Sequence, residues 1–351
     1  MDGQDSTDRR ALRADTRALL ARLWPAEALR SAADRPAPEL DRALWRALGE
    51  AGFFALRLPP ERGGAGLGLP EAVLVFEEAG RVLLPGPLVG THLAAGAIPA
   101  AARGETAVAW YDGPVVAWLA AADGLWPGGD PAGAVPLRSV DPLTPLHRLP
   151  PPAGDPVRSF DPVGALLTAA EQLGSASRTA ALAARHARER EQFGRPIGSF
   201  QAVKHLCAET VVRRELARAA VHAAALTAAP VLALAPGPGP GPDPGPGPGA
   251  DLVAPDPAAV PDPVAVAAAK LLADEAAERN ARDCLQVFGG MGFTWEAEVH
   301  LHLKRAWIRG RVRPVAAHAE EICAAPLGTG SALLGTGSAP LGSGAAPLGS
   351  G

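Results

Sequence analysis

The sequence predicts a mostly α-helical protein in which a small β domain separates an N-terminal helical domain from a C-terminal four-helix bundle. Three observations support this fold class. Apolar residues recur at helical spacing in the first hundred residues, and long Ala-rich segments with an apolar face fill most of the second half. Between them, short β-compatible runs are separated by Asp-Gly and Gly-Gly turns. Hydrophobic residues make up 48% of the 351 residues, which is enough for a sizeable core.

The predicted N-terminal helical domain occupies residues 1–100. Apolar residues recur at helical spacing in four of its segments: 7–34, 40–51, 70–81 and 88–98. Gly52 is the expected C-cap of the second helix, because glycine accepts the left-handed conformation that ends many helices. The glycine-rich loop Pro59–Glu71 lies among helices rather than after a buried strand, so we do not expect it to bind a nucleotide phosphate.

A short β domain is predicted for residues 101–160. The runs A-V-A-W-Y-D-G, V-V-A-W-L-A-A-A-D-G and A-V-P-L-R-S-V have strand-like composition and are separated by turn residues. Each of the three tryptophans in this segment is expected to be a core residue: Trp110, Trp118 and Trp126.

The predicted four-helix bundle occupies residues 161–326. Four long segments with an apolar face are its expected helices: 162–189, 200–229, 264–288 and 298–323. The insert at 230–263 contains Pro236–Gly249, which is Pro and Gly alone except for Asp243, and predicts a solvated linker. Residues 327–351 repeat Leu-Gly-Thr/Ser-Gly, and two glycines in each repeat favour disorder over helix.

The composition excludes several classes of function. A net charge of -4 gives no reason to expect nucleic acid as a partner. No apolar run reaches the roughly 18–20 residues of a membrane helix, and the acidic N-terminus is unlike a secretory signal. Three scattered cysteines lack metal-ligand spacing, so we expect reduced thiols and no metal site. These features predict a cytoplasmic protein that does not bind membranes.

The stretch E-R-E-Q-F-G-R-P-I-G-S-F-Q-A-V-K-H, Glu189–His205, connects the first two bundle helices. Arg190 places a cation at the end of the first helix, where the macrodipole favours positive charge. Gly194 and Gly198 permit backbone conformations that other residues resist. Ser199 is the expected N-cap of the next helix.

A second glycine-rich turn, Q-V-F-G-G-M-G-F-T-W-E, occupies Gln286–Glu296. The pattern Arg-x-x-Phe-Gly-x-x-Ile-x-x-Phe-Gln and this turn resemble two signatures of the acyl-CoA dehydrogenases, flavoenzymes that desaturate acyl-CoA thioesters. Both occur in the family's order, about ninety residues apart. The resemblance is strong over 162–310 and fair over 40–90, and the family's domain order matches the one predicted here.

The resemblance implies an FAD that lies between the β domain of one subunit and the bundle of its neighbour. The residues of this chain that would then contact a neighbour's FAD are Arg190, Gln192, Phe193, Gln286, Val287, Gly289 and Gly290. Arg190 would pair with the pyrophosphate, since guanidinium geometry suits phosphate. The two glycines would let the backbone approach the adenosine end closely. The implied substrate is an acyl-CoA, and the implied electron acceptor is an electron-transfer flavoprotein.

The chain departs from the family where the flavin ring and the catalytic base belong. Its β domain is short and lacks the Thr-Glu…Gly-Ser-Asp and Trp-Ile-Thr segments that hold the ring in the family. The two family positions for the base fall on Gly164 and Arg313, so no catalytic residue is predicted. Glu171 shares a helical face with Gly164 but lies roughly 10 Å along the axis, beyond the reach of a base at that site. Glu296 is expected to be structural, and His300 and His302 are expected to be surface or hydrogen-bonded histidines.

These departures predict a non-catalytic subunit of a heteromeric, FAD-dependent acyl-CoA dehydrogenase. A homologous dehydrogenase subunit would supply most of the flavin site and the base, in a heterotetramer of the kind that the family implies for degradation of sterols and unusual acyl chains. Two alternatives stay open: a self-sufficient homotetrameric dehydrogenase with an unrecognised base, and a non-enzymatic scaffold of the same fold.

Overall fold

A computed structural model describes residues 7–150, 160–228, 259–311 and 322–324. The predicted Pro/Gly linker, the repeat tail and Arg313 lie outside these described residues. The described chain is mostly helical, with a few short strands between two helical parts, and this confirms the predicted fold class.

Six helices form the N-terminal part: α1 (Thr7–Leu23), α2 (Ala26–Ala33), α3 (Arg42–Glu50), α4 (Leu69–Arg81), α5 (Leu88–Ala94) and α6 (Pro99–Ala102). The single helix expected over 7–34 is two helices, because Pro25 cannot continue α1 and instead takes an extended conformation before α2. The helix expected over 88–98 ends earlier, at Ala94, and α6 begins only at Pro99. Gly52 has the left-handed backbone (φ +78°) expected after the second predicted helix.

Five three-residue strands follow: β1 (Val108–Trp110), β2 (Val115–Ala117), β3 (Gly124–Trp126), β4 (Val135–Leu137) and β5 (Leu146–Arg148). β1 and β3 pair in parallel, whereas β2, β5 and β4 form an antiparallel sheet in that order. Trp110 and Trp118 are buried and Trp126 is half-buried, in line with the expected core role.

The bundle contains α7 (Pro162–Glu189), α8 (Gln201–Leu226), α9 (Pro263–Phe288) and α10 (Val299–Arg311), with β6 (Glu191–Gln192) and β7 (Arg195–Pro196) between α7 and α8. The dipeptide Asp-Pro starts both α7 and α9. Asp161 accepts hydrogen bonds from the backbone amides of Val163 and Gly164 in α7, and Asp262 accepts one from Val264 in α9. Proline follows each aspartate at the first helical position, where its missing amide costs nothing.

One core runs through the N-terminal helices and the bundle. α4 and α7 approach so closely that a Cβ on Gly80 would lie 2.0 Å from the Glu171 carbonyl oxygen, and one on Gly174 would lie 1.9 Å from that of Glu77. Only glycine permits this backbone contact. The close packing fixes α7 against the N-terminal helices.

Two expectations for the bundle need correction or restriction. Ser199 is not the N-cap of α8: it ends a turn of 3-10 helix, Ile197–Ser199, and Phe200 takes the cap position without a side-chain bond. The last helix, expected over 298–323, is described to Arg311, and 312–321 lie outside the described residues.

Among the described helices, none is long and apolar enough to cross a membrane. In the same part of the chain, His, Cys, Asp and Glu side chains do not cluster in a way that could hold a metal ion.

Candidate functional site

The predicted turn between the first two bundle helices is a two-residue β-hairpin. Arg190 leaves the helical conformation at the end of α7, and β6 then pairs antiparallel with β7. Phe193 and Gly194 form the hairpin loop with positive φ values of 54° and 74°, as a tight hairpin turn requires. Gly198 is required for close packing rather than for a turn, since a Cβ there would lie 2.8 Å from the carbonyl oxygen of Ala187.

The side chains of this hairpin face solvent. The Phe193 ring is 91% exposed and meets Phe200 edge-on, with 6.0 Å between ring centroids. The guanidinium of Arg195 lies over the ring of Phe200, 4.3 Å from the ring centroid. Arg190 is exposed as well, and among the described residues no acidic side chain forms an ion pair with it. The hairpin therefore presents an aromatic ring and a cation outward.

The second motif ends α9 and turns away from it. Gly289 has φ +61° and ψ -140°, a conformation that side chains rarely adopt, and a turn of 3-10 helix follows over Gly289–Phe293. A Cβ on Gly289 or Gly290 would meet nothing within 4 Å, so this backbone is open to an approaching group. Gln286 is exposed, whereas Val287 is 6% exposed and packs into the core. Any contact of Val287 with a ligand is therefore limited to its backbone.

A stacked pair of rings joins the two motifs. His186, one turn before the hairpin, stacks on Phe288 with 4.2 Å between centroids and 16° between planes. Below the pair lies a core cluster that includes Leu182, Cys284 and Val299 from three bundle helices. Burial and then the nearby Arg190 charge lower the pKa of His186, which favours the neutral ring. The structure thus brings the predicted cofactor-contacting residues to one end of the bundle.

The first predicted base position is filled by another side chain. Gly164 lies in the first turn of α7, and a Cβ there would lie 2.3 Å from Cζ2 of the Trp110 indole. Trp110 is 4% exposed and belongs to β1. No larger residue fits at 164 without displacing the indole, so the absence of a base there is enforced by packing.

Glu171 is buried and already paired. Its carboxylate, 2% exposed, accepts two hydrogen bonds from the Arg309 guanidinium of α10, one of them at 2.8 Å. Such a bidentate contact satisfies both oxygens. The pair lines a cavity of about 40 Å³ between the β strands, α7 and α10. That volume is far below the ~300 Å³ at which pockets for cofactor-sized ligands begin.

The other polar residues near the glycine turn have structural contacts. Nδ1 of His302 lies 2.8 Å from the Ser175 hydroxyl, and burial, followed by nearby arginines, lowers the pKa of His302 to about 3. His300 stacks on Trp295 at 4.8 Å. The backbone carbonyl of Glu296 accepts a hydrogen bond of 2.9 Å from Arg30.

Three contacts in and around the candidate site were not foreseen from the sequence: Trp110 on Gly164, Glu171 with Arg309, and His186 on Phe288. Each joins residues that are distant along the chain, and none has a local spacing that would reveal it. For the His186–Phe288 contact, the sequence offered one signal: each residue lies next to one of the two motifs, His186 four residues before Arg190 and Phe288 directly before Gly289.

The chain belongs to the acyl-CoA dehydrogenase family. The family model for the N-terminal domain matches residues 6–109, and the model for the C-terminal domain matches residues 162–230 and 252–315. The acyl-CoA dehydrogenase IpdE2 of Mycobacterium tuberculosis is 34% identical over 325 residues, covering 85% of this chain and 91% of that protein. IpdE2 of Mycolicibacterium smegmatis is 32% identical over 324 residues, covering 86% and 93%.

Solved structures of the family share the fold. The ChsE4–ChsE5 complex from Mycobacterium tuberculosis aligns with a TM-score of 0.69 at 23% identity, covering 97% of this chain and 100% of the aligned chain. A glutaryl-coenzyme A dehydrogenase complex aligns with a TM-score of 0.70 at 20% identity, covering 93% and 97%. The resemblance drawn from the two sequence motifs is thereby confirmed at the level of family and fold.

Proposed function

We propose that this chain is a subunit of an FAD-dependent acyl-CoA dehydrogenase that completes a partner's flavin site and has no catalytic site of its own. The partner is a homologous dehydrogenase subunit that carries the base. The observation on which the proposal depends is the contrast between two regions: the motif-bearing end of the bundle is open, whereas the position for a base at Gly164 is filled by Trp110.

The open end suits a dinucleotide that a partner presents. Arg190 offers an outward guanidinium for a pyrophosphate, and Gly289 and Gly290 leave their backbone accessible. Phe193 and Gln192 on the hairpin extend the same surface. Neighbours solved with this cofactor, such as the FAD complex of PigA, share the fold and support FAD as the group concerned.

The interior of this chain does not suit a flavin ring. The cavity beside Trp110 and Glu171 has about 40 Å³, and the Glu171 carboxylate is neutralised by Arg309. FAD, when bound by the complex, supplies the acceptor for the hydride that leaves the acyl β carbon. The α proton must be removed by a free carboxylate, and in this reading the partner provides it. ChsE4–ChsE5 is named as a complex of two different chains, which is a precedent for such an assembly.

The test is the FAD content of the full chain, expressed alone and together with a candidate homologous dehydrogenase subunit. We expect no flavin alone and one FAD per pair of chains in the complex. In the complex, Arg190→Ala should weaken FAD binding by about 10- to 150-fold, the range expected for losing a charge-assisted contact of about 1.5–3 kcal/mol. Flavin absorbance after dialysis measures the loss.

Arg188→Ala is the matched control, because Arg188 is an exposed arginine in the last turn of the same helix and should leave FAD binding unchanged. One FAD per chain with turnover in the absence of a partner would instead establish the self-sufficient enzyme. Complex formation that changes neither flavin content nor rate would establish the scaffold.

A further inference from the structure

The glycine turn after α9 ends at a tryptophan that has several partners. Trp295 is 44% exposed. Its indole N–H donates a hydrogen bond to the carboxylate of Asp34, and its ring stacks on His300 with 4.8 Å between centroids. The ammonium of Lys304 lies 4.8 Å from the centroid of the same ring. These contacts fix the position of Trp295, and with it the end of the turn.

Two of the groups that contact this end of the turn come from α2 and its C-cap, 261 to 266 residues earlier in the chain. The guanidinium of Arg30 donates hydrogen bonds to the backbone carbonyls of Trp295 and Glu296, the second at 2.9 Å. Asp34 is the C-cap residue of α2, four positions after Arg30, so both side chains lie on one face of the helix. Polar contacts therefore join the end of the glycine turn to the N-terminal part of the chain.

Helix α2 is itself fixed to the core. Leu29 and Ala33 are 6% and 3% exposed and belong to the core that runs through the N-terminal helices and the bundle. Just before the helix, the indole N–H of Trp24 donates a hydrogen bond of 3.1 Å to the carbonyl of Val82. Because one side of α2 is buried in this way, the helix is a rigid support for the side chains that reach the turn.

Much of the glycine turn itself is exposed. Met291 and Phe293 are 54% and 75% exposed, whereas Gly292 packs on the end of α9, where a Cβ would lie 2.9 Å from the carbonyl oxygen of Leu285. An open cleft of about 960 Å³ lies between α2 and the bundle, and the end of the turn forms part of its wall. Segments with little buried apolar surface open easily. The hydrogen bonds from α2 are therefore important for the position of the turn.

We propose that Arg30 and Asp34 are positioning residues that order the glycine turn for the flavin dinucleotide presented by a partner. The proposal rests on the function proposed above, in which the backbone of Gly289 and Gly290 is open to that group. Neither positioning residue belongs to the two sequence motifs, and both act through the end of the same turn. A turn that is already ordered loses less conformational entropy when the dinucleotide binds, which raises the affinity.

The first test is titration of FAD into the complex of the full chain with a homologous dehydrogenase subunit, after removal of its flavin. Arg30→Ala should raise the Kd for FAD by roughly 2- to 10-fold, the effect of ordering a loosened segment on binding. Asp34→Ala should raise the Kd as well, and this position is exposed, so the variant should remain folded. Asp34→Asn should restore the Kd, because its amide oxygen still accepts the indole hydrogen bond.

Arg35→Ala is the matched control. Arg35 follows Asp34 directly and lines the same cleft, but its guanidinium pairs with Glu39 at 3.4 Å. Its removal should leave the Kd for FAD unchanged. A Kd raised as much by Arg35→Ala as by Arg30→Ala would indicate a general effect of charge and overturn the proposal.

Hydrogen exchange of this chain alone gives a second readout that needs no flavin. Arg30→Ala should speed the exchange of amides 289–296 by about 2- to 10-fold, as loss of a hydrogen bond does, and leave the middle of α9 at its wild-type rate. Faster exchange throughout the protein would indicate a general loss of stability instead. A raised Kd without faster exchange of the turn would show that Arg30 acts by its charge, and either result would overturn the positioning role.

The failure of this inference differs from the failure of the proposed function. Flavin in the wild-type complex with an unchanged Kd in Arg30→Ala would overturn this inference alone. A Kd raised as much by Asp34→Asn as by Asp34→Ala would remove Asp34 from it. A wild-type complex that binds no FAD would overturn both.

Discussion

Among single residues, Gly164 and Trp110 are the two on which the proposed absence of a catalytic base depends. The glycine leaves room for the indole at the start of α7, and the indole occupies the volume that a carboxylate would need. The residue type at 164 was visible in the sequence and indicated a missing base. The tryptophan that fills the space was not, because contact between a strand and a helix more than fifty residues later has no sequence spacing to predict it.

Gly164→Glu should therefore fail to create a working base. We expect it to destabilise the fold by about 1–3 kcal/mol or more, as overpacking of a filled core does, with no gain in dehydrogenase activity. Urea unfolding and acyl-CoA-dependent reduction of a dye measure the two effects. Gly124→Glu is the control, because a Cβ there meets nothing within 4 Å and the fold should tolerate it. A stable Gly164→Glu variant would show that the indole yields easily.

His302 couples stability to pH. Its pKa is about 3 in the folded protein against 6.5 for an unperturbed histidine, so the unfolded state binds more protons between these values. The free energy of unfolding should therefore fall as pH drops below about 6.5, with a contribution from His302 of up to ~1.4 kcal/mol per pH unit. His302→Gln should make this dependence shallower between pH 6 and 4 in urea titrations. His205→Gln, at an exposed position of α8, should leave it unchanged; identical slopes in all three proteins would contradict the expectation.

On the level of elements, the hairpin and the glycine turn lie together because α7 and α9 pack against each other. The stacked rings of His186 and Phe288 and the cluster below them set the distance between the two motifs. The sequence identified both motifs and their family. It could not place them side by side, since their meeting depends on how α7 packs on α9.

A buried ion pair attaches α10 to the β strands. Arg305, 4% exposed, pairs with Asp141, 1% exposed, whose carboxylate also accepts a hydrogen bond of 2.7 Å from Thr144. Arg305→Ala should destabilise the protein by about 3–5 kcal/mol, because it leaves the carboxylate buried without its counter-charge. Arg103→Ala removes the exposed pair with Glu105 and should cause no measurable change. Urea unfolding of both variants provides the comparison, and equal stabilities would contradict the assigned role.

Over the whole molecule, sequence reasoning predicted the fold class and the order of the parts, and it predicted the starts of α7 and α9 to within one residue. Asp161 and Asp262, each followed by proline, start their helices where expected. It was wrong where two local preferences compete, as at Ser199, whose capping ability yields to the 3-10 turn that contains it. The contacts of the candidate site with a cofactor remain a prediction.

Assembly with a partner should depend on the hairpin tip. Phe193 is 91% exposed, so Phe193→Asp should leave the stability of this chain unchanged, and aspartate tolerates the positive φ at that position. If the hairpin enters a partner, the variant should weaken the complex by about 2 kcal/mol, or roughly 30-fold, as loss of an aromatic anchor does. Analytical ultracentrifugation measures the affinity. Val140→Asp, 53% exposed on the β domain, is the matched control; equal affinities for both variants would place the interface elsewhere.

The indole packed on Gly164 also has an evolutionary consequence. A descendant of this chain that acquired a carboxylate at 164 would first have to lose the tryptophan, and a cavity left by a buried aromatic costs about 3–5 kcal/mol. Loss of the tryptophan alone leaves a cavity, and a carboxylate at 164 alone overpacks the core, so each change by itself destabilises the fold. A base at position 164 therefore requires two coupled substitutions, and neither can be made first without a loss of stability.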